Sequence, residues 1–273
     1  MSMIDALYEL EAQTFRESPI HRLDARVKIL AMFAGIIAMV AFPYTTDVYL
    51  LGLIFSVYIA VLWIAARLPP WAYAARLIAV LPFGLFIIIF QIFFPNPHYP
   101  VSHTLTTLPL GITIYAESVE FASILLVKFL VCVSFVLLLS SATRMTDLLN
   151  GAARLGMPPE FTLVIGLMLR YLFVFGGMFR RIKRALASRF FDPFDRRLSY
   201  RYRLRQLGYT VGVMFLRSYE QGERTYTAMR CRGYGMDSHL RVAARPMRSP
   251  DWCFLAGSMT LVVAAPILVW LLG

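Results

Sequence analysis

Residues 117–141 read ESVEFASILLVKFLVCVSFVLLLSS. One cation, Lys128, interrupts the run, and its acids, Glu117 and Glu120, stand at its start. A helix rises about 1.5 Å per residue, so roughly 20 residues cross about 30 Å of hydrocarbon. This stretch is long enough to do so. Working outward, four more apolar stretches fall at about 28–42, 47–66, 73–94 and 252–272. The first is short, ends at Pro43 and borrows length from Arg26–Ile29. The expected fold class is an all-α integral membrane protein with about five transmembrane helices, plus a cytoplasmic module of long amphipathic helices. Its parts are an N-terminal membrane region of four helices (1–141), the cytoplasmic module (142–250) and a C-terminal transmembrane helix (251–273).

Composition agrees. Of the 273 residues 59% are hydrophobic and only 16% charged, against about 25% charged in a soluble domain. The net charge of +11 is almost all arginine, because Lys28, Lys128 and Lys183 are the only lysines. Arginine suits planar pairing with carboxylate or phosphate. Cys132, Cys231 and Cys253 form no CxxC and no even framework, so neither a disulfide nor a zinc site is indicated. Asp5, Glu9, Glu11, Glu17 and Asp24 mark residues 1–28 as a cytoplasmic lead-in rather than a cleavable signal peptide.

Cations orient the spans, since short loops rich in Lys and Arg stay inside. The loops 43–46 and 95–116 contain no Lys or Arg, whereas 142–250 holds 20 of the 27 cations against 7 acids. The expected topology puts the N-terminus inside and the C-terminus outside, in a cell (inner) membrane. Residues 161–179 are apolar enough to resemble a sixth span. Crossing there would bury Arg170 at about 2.5–3.5 kcal/mol and strand the nine cations of 180–203 outside. They are therefore read as the apolar part of a helix along the cytoplasmic face.

That helix should run from Pro158-Pro159 to about Arg189, and a second from about Tyr202 to Arg232. Leu204, Leu207, Val211, Met214 and Phe215 give the second an apolar face. Glu220 and Arg224 form a favourable i, i+4 pair, and Gly233 follows as a helix stop. Both helices end on an arginine, in Ser188-Arg189-Phe190 and Cys231-Arg232-Gly233. Taken alone, these arginines are equally well read as solvated helix-end cations favoured by the macrodipole.

The pattern resembles the transmembrane T component of energy-coupling factor (ECF) transporters. Arg230-Cys231-Arg232-Gly233-Tyr234 and Ser188-Arg189-Phe190 are similar to that family's x-Arg-x coupling motifs, with Phe190 where glycine is common. His21-Arg22-Leu23-Asp24-Ala25-Arg26-Val27-Lys28 resembles its lead into the first span, with Ala25 in place of proline. Leu155-Gly156-Met157-Pro158-Pro159 and Leu169-Arg170-Tyr171 resemble its Leu-Gly-x-Pro and Arg-Tyr elements. Arg217-Ser218-Tyr219-Glu220-Gln221-Gly222-Glu223-Arg224 looks like the cobalt-type T component, CbiQ.

The resemblance implies that 142–250 is a coupling module and that the chain transmits ATP-driven motion without catalysis or a cofactor of its own. The implied partners are two ABC-type ATPase subunits, which bind ATP, and a membrane substrate-binding subunit, which binds cobalt or nickel. Ser188, Arg189, Phe190, Cys231, Arg232 and Gly233 would dock on the ATPases, with Arg170, Glu220, Glu223, Arg224 and Arg230 in support and Asp24 and Arg26 in the N-terminal motif. The chain contains no GxxxxGK[ST] phosphate loop. A shared T component of a vitamin-type importer and a membrane-bound lipid-modifying enzyme are the alternatives. The Arg-Ser-Tyr-Glu run at 217–220 favours the metal branch, and the spans offer almost none of the clustered acids or histidines an enzyme needs.

The remaining cations, Arg180–Arg184 and Arg196–Arg205, read as lipid-facing, and nucleic acid is not expected as a partner. His98 and His103 read as ordinary loop residues rather than metal ligands. Lys128 is expected to pair structurally with Glu120, about two turns away; Glu117 is given no role.

Overall fold

A computed structural model describes residues 20, 23–92, 104–107, 113–192, 198–235 and 247–272. In chain order these form helices α1 (Ala25–Ala41), α2 (Val48–Ala65) and α3 (Pro70–Ile92), strands β1 (Thr104–Thr107) and β2 (Thr113–Tyr115), and then helices α4 (Ala116–Ala142), α5 (Met145–Arg154), α6 (Pro159–Ala187), α7 (Tyr200–Cys231) and α8 (Ser249–Leu272). The apolar stretches read from the sequence become α1–α4 and α8, with ends within a few residues of expectation. The strands pair antiparallel, Thr107 opposite Thr113, inside what reads as an outer loop.

The chain divides into two compact units. The first gathers α1–α5 and α8: α4 packs against α1, α2 and α3, and α8 against α1 and α2. Its core is built from Met39, Leu51, Phe55, Ile124, Phe135 and Leu138, all fully enclosed. Phe55 meets Phe135 edge-on at 5.8 Å. Small residues admit these rings, since lipid offers helices no hydrophobic drive and close backbone approach must supply it. A Cβ on Gly35 would lie 2.7 Å from Phe135 Cζ, and one on Gly52 would lie 2.5 Å from Val127 Cγ1. Polar side chains add cross-links: Tyr58 donates to Ser258 at 2.8 Å, and the Tyr73 and Ser134 hydroxyls lie 2.7 Å apart.

The short α5, expected with the cytoplasmic module, packs on α1 in this first unit. Gly151 makes the approach possible, because a Cβ there would sit 3.0 Å from that of Ala25.

The second unit gathers α6 and α7. These helices have 29 and 32 residues, or about 43 and 48 Å. Almost none of their surface is enclosed: Gly176 is the buried residue of α6, and among the described residues α7 has none.

By length and composition alone, α2, α3, α4, α6 and α8 are the helices able to cross a membrane. This set contains α6, which the charge pattern assigns to the cytoplasmic face. It leaves out α1, whose 17 residues give about 26 Å, short of the hydrocarbon thickness.

Candidate functional site

The ends of α6 and α7 are built alike. At α6 the Phe190 N–H donates to Ala187 O at 3.0 Å and the Phe191 N–H to Leu186 O at 3.1 Å. At α7 the Gly233 N–H donates to Arg230 O and the Tyr234 N–H to Met229 O, each at 3.0 Å. These paired bonds make a Schellman turn, whose left-handed residue is Phe190 (φ 58°) in one case and Gly233 (φ 85°) in the other. Arg189 and Arg232 occupy the same place, immediately before that residue, and both are exposed. Phe190 thus stands at α6 in the backbone place that Gly233 takes at α7. Glycine takes this conformation freely, whereas a residue with a Cβ gives up about 1 kcal/mol or more.

The helices run side by side in opposite directions. The Tyr171 and Thr225 hydroxyls lie 2.5 Å apart. At the other end Phe191, turned inward after the cap, meets the Tyr202 ring at 6.1 Å. Arg189 therefore lies about 27 Å beyond Tyr171, and Arg232 about 10 Å beyond Thr225 the other way, which separates the two ends by roughly 35 Å.

Beside Arg232 the helices frame a groove of about 540 Å³ lined by Arg170, Arg224 and Arg232, with Tyr171, Gln221, Thr225 and Tyr234 and a floor of Leu163, Leu167, Ala228 and Met229. Among the described residues, three guanidiniums line it and no carboxylate does. Glu220 reaches Arg224 at 3.9 Å from an exposed position, where an ion pair is worth less than about 1 kcal/mol. Glu223 is exposed on α7, and Arg230 lies over the Tyr226 ring at 6.0 Å. Ser188 bonds back to Ala185 O at 2.9 Å, and Cys231 is an exposed free thiol.

Asp24 and Arg26 lie in the first unit, and their work there is structural. Asp24 caps α1 by accepting from the Arg26 N–H at 3.0 Å, and its carboxylate meets Arg154 of α5 at 3.6 Å. Its own N–H donates to Asp251 at 3.0 Å, and the other oxygen of Asp251 accepts from the Arg248 N–H at 2.8 Å. One polar clasp joins the starts of α1 and α8 to the end of α5. Sequence reading missed Arg154 and Asp251 as members, because nothing local pairs residues more than 100 positions apart.

The expected Lys128–Glu120 pair does not form. Lys128 Nζ donates instead to Phe42 O at 2.5 Å and to Val40 O at 3.4 Å, and lies 4.0 Å from the centre of the Tyr44 ring. Glu120 is exposed. The reason is that α1 stops short of α4, leaving carbonyls in apolar surroundings that a buried ammonium satisfies better than water can. His98, His103, Arg196, Arg197 and the Glu117 side chain lie outside the described residues. Among the described residues, no group of three His, Cys, Asp or Glu side chains is placed to hold a metal ion.

Five helices long and apolar enough to span define a multi-pass membrane protein. The chain belongs to the CbiQ cobalt transport protein family, whose family model matches residues 16–241, and it is a membrane transport component. It is similar to Uncharacterized protein MJ1571 of Methanocaldococcus jannaschii, 24% identical over 217 residues, covering 79% of this chain and 71% of that one. Uncharacterized protein MJ1089 of the same organism is 25% identical over 208 residues, covering 76% of this chain and 74% of that one.

Proposed function

We propose that this chain is the transmembrane T subunit of an energy-coupling factor ABC importer for cobalt or nickel ions. It passes ATP-driven motion from two ATPase subunits to a membrane subunit that binds the metal as substrate. It is not itself an enzyme and carries no cofactor; ATP is bound by the ATPases. The observation that carries this reading is the equivalence of the two helix ends. Each presents an exposed arginine at the same place in the same left-handed turn. A solvated surface needs no such repetition, whereas two related docking grooves, one on each ATPase subunit, do. The cobalt transport family favours a metal over a vitamin as cargo.

In this reading α6 and α7 lie on the cytoplasmic side. Arg180, Arg181, Lys183 and Arg184 in the last turns of α6 support it, since stranding them outside opposes the charge rule. The N-terminus is then inside and the C-terminus outside an inner membrane.

The test is co-purification of the ATPase subunits with the full-length protein. The parent should retain them and an Arg189→Glu, Arg232→Glu double variant should release them; equal retention overturns the proposal. Labelling a cysteine placed at Ser199 from each side of the membrane checks the orientation, and labelling from outside alone refutes it.

A further inference from the structure

Phe190 is the most exposed large apolar residue described, at 96%, yet it holds a left-handed backbone (φ 58°). Its counterpart Gly233 holds that conformation freely. Among the described residues, none rewards Phe190 for being aromatic. The next residue, Phe191, supplies the apolar contact that closes this turn, packed on Tyr202. The ring of Phe190 stands in solvent beside the exposed Arg189.

Resting on the reading of the helix ends as ATPase contacts, we propose that the α6 end docks through two neighbouring groups. The Arg189 guanidinium meets a carboxylate, and the Phe190 ring enters an apolar pocket beside that carboxylate on the ATPase subunit. The exposed Arg189 at the tip of α6 calls for a carboxylate on the partner surface. The strained, solvent-facing aromatic calls for an apolar recess within it. At the α7 end glycine stands in that place, and the ring beyond it, Tyr234, lines the groove with Arg232. That arginine stands beside Gly233 and over the three-arginine groove, so this end fits a more polar cleft. The two ends are therefore alike in backbone and different in what they ask of the ATPase.

The test uses the full-length chain in nanodiscs, with the ABC-type ATPase subunits of its own transporter as probe. An Arg232→Glu background leaves the α6 end as the sole grip. Phe190→Gly relaxes the turn, so loss of folding cannot account for a weaker complex. Affinity should fall about thirtyfold, the effect of withdrawing one buried aromatic ring; unchanged affinity overturns the proposal. A photoreactive benzoylphenylalanine in place of Phe190 should cross-link to the ATPase, and cross-linking to lipid instead refutes it. If the Arg189→Glu, Arg232→Glu variant releases the ATPase while Phe190→Gly binds as the parent does, only this proposal falls. If the double variant still binds, the coupling reading falls with it.

Discussion

Lys28 and Lys128 stand in a reciprocal relation: each donates to the carbonyl end of the helix that carries the other. Lys28, in α1, bonds Ala142 O at the end of α4 at 3.1 Å, and Lys128, in α4, bonds Phe42 O just past α1. Two antiparallel helices are thereby clasped at both ends of α1, and an ammonium meets the negative pole of each dipole.

Replacing Lys128 with Met keeps the apolar bulk and orphans the carbonyls of Val40 and Phe42. Thermal unfolding in detergent should show a loss of about 1–3 kcal/mol. Glu120→Gln should leave the melting temperature unchanged; an equal loss in both variants would restore the ion pair.

Gly35→Leu drives a side chain into the Phe135 ring. Overpacking of this kind costs about 1–3 kcal/mol, so the melt should shift downward, whereas Gly166→Leu, which meets nothing within 4 Å, should not shift it.

Asp251→Ala leaves the Asp24 and Arg248 N–H groups without their acceptor. We expect a loss of about 2–4 kcal/mol, read as a lower unfolding temperature, while Asp251→Asn, which keeps one carbonyl oxygen, should lose less.

Arg189→Lys and Arg232→Lys keep the charge and lose the planar fork. In titrations against the ATPase each should bind more weakly than the parent and more tightly than the matching Glu variant, for which a loss of about 2–5 kcal/mol is expected.

Tyr171→Phe removes the hydroxyl contact with Thr225. Hydrogen exchange should rise in α6 and α7, by an amount matching about 1 kcal/mol, and stay as it was in α2 and α4.

Local pattern was the legible part of this chain. Long apolar runs gave α2–α4 and α8 to within a few residues, and Pro158-Pro159 marked the start of α6. The end of α7 was legible because Gly233 follows it as a helix stop, whereas a docking role for Arg189 and Arg232 came only from the resemblance of their triplets to x-Arg-x motifs. Lys128 was misread because an ammonium inside a span invites a search for the nearest acid along the same helix. Its true partners are carbonyls, which every residue carries and no sequence flags. Arg154 and Asp251 escaped for a related reason, since their partner Asp24 is distant in sequence and near only after folding. The packing of α5 on α1 depends on Gly151, whose missing Cβ matters only once its neighbour is known.

The antiparallel pair of α6 and α7 is joined at two separated places, by Tyr171 with Thr225 and by Phe191 with Tyr202. A beam fastened at two places turns as one piece. In the coupling role proposed above, two such contacts would carry a push on Arg189 along the pair toward Arg232 rather than let the helices pivot about a single point.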